Sequence, residues 1–198
     1  MKTTSLLFGV EMVKAILAGT KTQTRRTHGL DWVNQNPYKF GLFNTAIKNE
    51  TFHAYLRFTG PASAPDVDCK AKVAPGDVIY VKETFRLSTK DDYSCKIGTL
   101  IYRASVDRSD TGPWKPSIFM PKSSARIWLR VKEVRCERVS KISKKDVISE
   151  GTPGFELENA SEEEARACYR DLWCKINGTG SWDYWCFAYT FERIEKPC

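Results

Sequence analysis

Residues 16–26 read Ile-Leu-Ala-Gly-Thr-Lys-Thr-Gln-Thr-Arg-Arg, and this stretch holds both a structural boundary and a concentration of chemistry. Upstream, Val10, Val13, Ala15, Ile16 and Leu17 give a helical apolar stripe. Gly19 is a helix stop, because glycine enters the left-handed conformation that closes a helix without the cost of a Cβ. Residues 20–26 then present a lysine, hydroxyls, an amide and two arginines. In an extended chain Thr22, Thr24 and Arg26 share one face, while Lys21, Gln23 and Arg25 share the other. Lys21 and Thr24 therefore converge only if the chain turns just after Gly19. The plainer reading of these residues is a solvated basic loop.

Working outward, residues 5–9 read as a short strand. Residues 27–74 show no clear period and are expected to be an irregular insertion, with one possible strand at 55–58. Pro75-Gly76-Asp77 marks a turn into a strand over 78–85. A further strand is expected at 99–105 and a proline-constrained loop at 114–122. Residues 125–139 alternate, with Ile127, Leu129 and Val131 on one face and Arg126, Arg130 and Lys132 on the other. That run is long for one strand and predicts a bend or bulge. Ser143 caps a short helix ended by Gly151. Ser161 and Glu164 form a capping box for a helix whose apolar face is read as Ala165, Cys168, Leu172 and Ile176. An aromatic strand over 184–194 closes the pattern. The sum is α+β: a β-rich middle, plausibly a closed barrel, with peripheral helices and loop insertions. A chain of 198 residues suits one domain spanning 1–198 with its insertion at about 27–74.

The formal charge is +7. Residues 115–145 carry ten Lys or Arg against Glu133 and Glu137 alone, an asymmetry that favours a polyanionic partner over mere solubility. Seven cysteines without a CxxC pair, and only His28 and His53, give no zinc spacing, so no metal or cofactor is expected. Cys136 and Cys186 fall within apolar strand patterns and read as small core residues. No apolar run approaches the ~20 residues of a membrane span. Glu11 and Lys14 follow the first apolar stretch at once, which argues against a signal peptide and for a cytoplasmic protein with reduced thiols.

Four blocks resemble the ASCH domain family of the PUA-like group. Residues 16–26 resemble its signature, a helix followed by G-x-K-T-x-T-x-R. PGDVIYVKETF (75–85) resembles its G-D-x-hydrophobic strand, ISKKDVISEG (142–151) its segment ending in Glu-Gly, and YWCFAYTFERI (184–194) its last strand. The blocks fall in the family's order. KPSIFMPKSSARIWLRVKEVRCERV (115–139) and LWCKINGTGSWDYW (172–185) resemble the longer ASCH proteins of phages and prophages. Ala125 stands where those have serine, and the Asn-Pro before the final tryptophan is absent. The resemblance implies a PUA-like β-barrel with a cleft for RNA or a nucleoside. In the family's N4-acetylcytidine amidohydrolases the functional lysine, threonine and glutamate correspond to Lys21, Thr24 and Glu150 here.

That set suits amide hydrolysis, which needs a nucleophile, a base and stabilisation of an oxyanion. Lysine is a base only when neutral, so burial or neighbouring cations such as Arg25 and Arg26 must lower its pKa. Glu150 pairing directly with Lys21 would push the other way. A separate Glu150 could instead protonate the leaving nitrogen, and the residues alone do not choose between these roles. Candidate binding residues are Arg25, Arg26, Lys82, Glu83, Lys122 and Arg126. Tyr80 and Phe85 could stack on a base but read better as core. Trp173, Trp182, Trp185 and Phe187 read as packing. The expectation is an amidohydrolase acting without metal on an N4-acylated cytidine-like nucleoside or nucleotide. The alternatives are an RNA- or modified-nucleic-acid-binding module and a ribonuclease.

Overall fold

In this computed structural model the described residues are 1–59, 66–89, 96–106, 112–152 and 157–197. Residues 60–65 of the expected insertion, Cys95 and Cys198 lie outside them. The fold is α+β, dominated by sheet. A five-stranded mixed sheet has the order β1 (Thr3–Leu7), β6 (Val78–Lys82), β9 (Trp128–Arg138), β10 (Trp185–Ile194), β2 (Gln23–Arg26). Only β1 and β6 run parallel.

The sheet is not a closed barrel. Among the described residues no ladder joins its two edges, β1 and β2. Side chains span the gap instead. Lys2 O accepts from Val78 N, and alternation along the strand turns the carbonyls of Ser5 and Leu7 to the free edge. Arg26 Nη2 donates to Leu7 O at 3.0 Å and Lys72 Nζ to Ser5 O at 2.9 Å.

Residues 27–74 are more regular than expected. They hold the antiparallel sheet β3 (Phe40–Lys48), β4 (Thr51–Phe58) and β5 (Val67–Lys70). β3 escapes sequence reading because most of its residues are exposed and its register shifts between Leu42 and Asn44. The hairpin turn is Asn49-Glu50, both at positive φ (48° and 56°), without the usual glycine signal. Phe52, Ala54, Leu56 and Cys69 from this sheet share one core cluster with Ile79, Leu129, Phe187 and Tyr189.

The expected strand over 78–85 breaks at Lys82 and resumes as β7 (Phe85–Leu87), which pairs with β8 (Leu100–Tyr102). The strand expected at 99–105 ends early in a helical turn over Arg103–Ser105. β9 carries the anticipated bulge: Glu133 pairs with Thr190 and Val131 with Phe191, leaving Lys132 extra. The inward positions accordingly change from Leu129 and Val131 to Val134 and Cys136, which keeps an apolar face on the core across the bend.

Helix α1 (Val10–Ala18) ends at Gly19, φ 78°. Helix α2 (Lys144–Ser149) is capped by the Ser143 hydroxyl, which accepts from Asp146 N. Helix α3 (Glu162–Asn177) starts with the Ser161–Glu164 capping box. Its buried face is Ala165, Tyr169 and Trp173, which pack with Val147 and Cys186. The stripe expected there lies one position round the helix, and Ile176 is 68% exposed.

Candidate active site

The turn required after Gly19 is present. Thr20 N and Lys21 N both donate to Ala15 O, and Thr22 N donates to Ser149 O at 2.8 Å. These bonds swing the chain off α1, across the end of α2, and into the edge strand β2. The side chains beyond the turn are buried: Lys21 is 3% exposed, Thr24 1%, Arg25 1% and Glu150 4%. The loop was no solvated surface segment.

Glu150 caps the C-terminus of α2, where the helix dipole disfavours a carboxylate. Two cations compensate. Lys21 Nζ donates to Glu150 Oε2 and to the Glu150 carbonyl, both at 2.7 Å, and Arg25 Nη1 donates to Glu150 Oε1 at 3.0 Å. Arg25 also bonds Glu137 through Nε at 3.1 Å, Asp146 through Nη2 at 3.0 Å and Gln23 Oε1 at 2.7 Å. Arg135 joins from β9, Nη2 to Asp146 Oδ2 at 2.9 Å. Three cations, Lys21, Arg25 and Arg135, face three carboxylates, Glu137, Asp146 and Glu150. The balance is what allows so many charges to be buried together.

Gly151 follows at φ 64°, and a Cβ there would lie 2.8 Å from Lys21 Cβ and 2.9 Å from Ala15 Cβ. Glycine is needed to bring α2 this close to the lysine.

Burial lowers the pKa of Lys21; the Glu150 charge and hydrogen bond oppose it, while Arg26 and Arg25 reinforce it. Burial works against charge on Arg25 as well, but there the carboxylates, Glu150 foremost, win and its pKa is raised. Burial raises Asp146, yet Arg25 and Arg135 outweigh it and the pKa is lowered. The net effect on Lys21 is thus opposite to that on Arg25 and Asp146: its charged form is disfavoured. Burial pushes the thiols of Cys69 (to about 11), Cys136 and Cys186 upward, as suits inert core residues.

Thr24 points away from the network. Its Oγ1 accepts from Arg26 Nη1 at 2.8 Å. No hydrogen bond joins Lys21 Nζ to Thr24 Oγ1 among the described residues, but both side chains line one cavity of about 310 Å³ with Glu150, Arg25 and Arg26. That volume falls within the range of small-molecule sites. The opposite wall is apolar: Phe8, Met12, Leu172 and Ile176. Leu172 and Ile176 were assigned to the core. Their place here accounts for an apolar stripe on α3 that the core does not use, a signal legible as surplus apolar surface.

The remaining candidates do not join this cavity. Glu83 and Arg126 form a two-point ion pair at 2.8 and 2.9 Å. Lys122 is exposed, 5.7 Å from the Trp128 ring centroid. Phe85 is core and Tyr80 packs beside it, as read from sequence. Lys82 lines a second, adjoining cavity. Several of the ten cations of 115–145 are engaged within the chain: Arg126 pairs with Glu83, Lys132 with Glu192 and Arg135 with Asp146, and Arg138 bonds backbone carbonyls. Among the described residues no group of three or more His, Cys, Asp or Glu is arranged to hold a metal ion, and no helix is long and apolar enough to cross a membrane.

No family model matches the chain, and a search of the curated proteins finds no match. Among solved structures the chain is similar to the crystal structure of protein EF3133 from Enterococcus faecalis V583, described with the family-model DUF984. The identity is 11% and the TM-score 0.41, covering 98% of this chain and 77% of that one.

Proposed function

We propose that the chain is an ASCH-type amidohydrolase on a PUA-like fold, acting without metal on an N4-acylated cytidine-like nucleoside or nucleotide. The observation that carries this reading is the meeting of Lys21 and Thr24 with Glu150, distant from them in sequence, on one partly apolar cavity. The engagement of Arg126, Lys132, Arg135 and Arg138 within the chain weakens the case for a polymer-binding module or a ribonuclease.

In the proposed reaction Thr24 Oγ attacks the acetyl carbonyl carbon, and its proton passes, by way of a water in the cavity that both side chains line, to neutral Lys21. The lowering of the lysine pKa favours the neutral form that this step requires. The Arg26 N–H already directed at Thr24 Oγ1 stabilises negative charge as it develops. Collapse of the intermediate breaks the bond to N4, which takes the proton back from Lys21. Water, activated by the same amine, then cleaves the threonyl ester and releases acetate. Glu150 holds the amine in place through these steps. The test is incubation with N4-acetylcytidine and chromatography of the products. Stoichiometric cytidine and acetate, lost in Lys21→Met, are expected. No turnover at high enzyme concentration would refute the proposal.

A further inference from the structure

The second cavity, of about 280 Å³, adjoins the first, and Leu7 and Arg26 line both. Arg26, Lys72 and Lys82 line it together with His28 and Tyr189, and no carboxylate does. None of the three cations forms an ion pair among the described residues; each bonds only neutral oxygens. Arg26 bonds Thr24 Oγ1 and the carbonyls of Arg25 and Leu7, Lys72 Nζ bonds Ser5 O, and Lys82 Nζ bonds Ile118 O. An ammonium carries three donors and a guanidinium five, so each keeps donors to spare. The fully buried Tyr189 adds another: its hydroxyl accepts from Lys72 N at 3.2 Å, and its own proton has no acceptor among the described residues. Burial, and then the charges of Lys2, Arg26 and Lys82, hold the Lys72 amine below its ordinary pKa. A recess with surplus donors and an unbalanced positive field is complementary to a small, multiply charged oxyanion.

We infer that this second cavity binds a phosphate group of the ligand whose base enters the first, so that the substrate is a phosphorylated nucleoside and not a free one. The inference rests on the nucleoside reading of the first cavity, while the phosphate site itself stands on the lining of the second. Arg26 joins the two, holding Thr24 Oγ1 with one N–H while others remain for the phosphate. It is a positioning residue that ties the nucleophile to the bound ligand. The competing role of Arg26 and Lys72 is purely structural, as caps on the free edge of β1. That role leaves Lys82, the missing carboxylates and the Tyr189 proton without explanation.

Equilibrium titration of the full chain with cytidine, its 5′- and 3′-monophosphates, a cytidine trinucleotide and inorganic phosphate tests the site. A monophosphate should bind about tenfold or more tightly than cytidine, the gain expected of a retained charge-assisted hydrogen bond. Lys72→Gln and, separately, Lys82→Gln should shrink that ratio. A further gain with the trinucleotide makes a strand the source of the phosphate, and equal binding makes it a mononucleotide. Inorganic phosphate should shift the His28 ring resonances. If the monophosphates bind no better than cytidine and phosphate leaves His28 unmoved, the site is overturned. If phosphate moves His28 but no cytidine derivative binds, the phosphate site stands and the nucleoside reading falls. Should either variant unfold, the wild-type titration still decides.

Discussion

Replacing Glu150 with glutamine tests the ionic network at its most strained point. The side chain keeps its size and loses its charge. Removing one partner of a buried ion pair costs about 3–5 kcal/mol, because the other charge is left without compensation. Arg25 retains Glu137 and Asp146, so the loss falls mainly on Lys21 and the lower figure applies. About 3 kcal/mol corresponds to a fall of about 6–12 °C in melting temperature for a domain of this size. The loss should also depend on pH. Lys21 has a lowered pKa in the folded chain against an ordinary value of 10.5. The unfolded chain therefore binds more protons than the folded one in the interval below 10.5, and stability from this group rises with pH there. Glutamine removes the influence that raises the pKa of Lys21, which extends the interval downward. Raising the pH discharges the stranded amine, so the deficit of Glu150→Gln should shrink as the pH rises below 10.5. Urea unfolding of both proteins across that range measures it, and titrations elsewhere in the fold cancel in the difference. A deficit under about 1 kcal/mol, the size of an exposed pair, or one that does not change with pH, would refute the reasoning.

The same lysine sets an expectation for turnover: kcat/KM for N4-acetylcytidine should rise with pH and level off below 10.5, because the base must be neutral. A bell with no such rising limb counts against Lys21 as base. Thr24→Val should abolish turnover while costing only about 1 kcal/mol in urea, since the hydroxyl makes one hydrogen bond. Thr24→Ser should keep part of the activity, and an active valine variant would exclude threonine as nucleophile. Gly151→Ala should destabilise the fold by about 1–3 kcal/mol through overpacking against Lys21 and Ala15. Unchanged urea midpoints would show that α2 gives way freely.

The parts legible in sequence were those where local chemistry and tertiary packing agree. Gly19, the Ser143 cap and the Ser161–Glu164 box each act within a few residues, and each is where the sequence places it. The bulge in β9 was readable as excess length. β3 was not, because its pairing with β4 is sustained by backbone bonds while its own side chains face outward. The face of α3 was misjudged because two apolar stripes lie side by side on that helix, and only packing against Val147 and Cys186 decides which is core. At the site, Lys21, Thr24, Arg25, Arg26 and Glu150 were found through their motifs. Glu137 and Asp146 were not, since a carboxylate on a strand or a short helix is ordinary until Arg25 is placed between them. Lys72 and Tyr189 carried no signal at all; they matter only because the sheet fails to close beside them.

That failure to close explains why both cavities lie where they do. In a closed barrel, Ser5 O and Leu7 O would be satisfied by a neighbouring strand, and no side chain would be needed at the join. Here Arg26 from β2 and Lys72 from the segment after β5 cap those two carbonyls of β1. The alternation of β2 then divides the labour. Lys21, Gln23 and Arg25 point to one side and anchor the strand to α2, β9 and β10 through Glu150, Asp146, Glu137 and Thr190. Thr24 and Arg26 point to the other, toward the gap between β1 and β2. A catalytic group such as the proposed Thr24 nucleophile must be held to a fraction of an ångström, which an edge strand alone supports poorly. The buried ions supply the rigidity that a second neighbouring strand would have given, while Lys21, Arg25 and Glu150 still reach the wall of the cavity that Thr24 and Arg26 line.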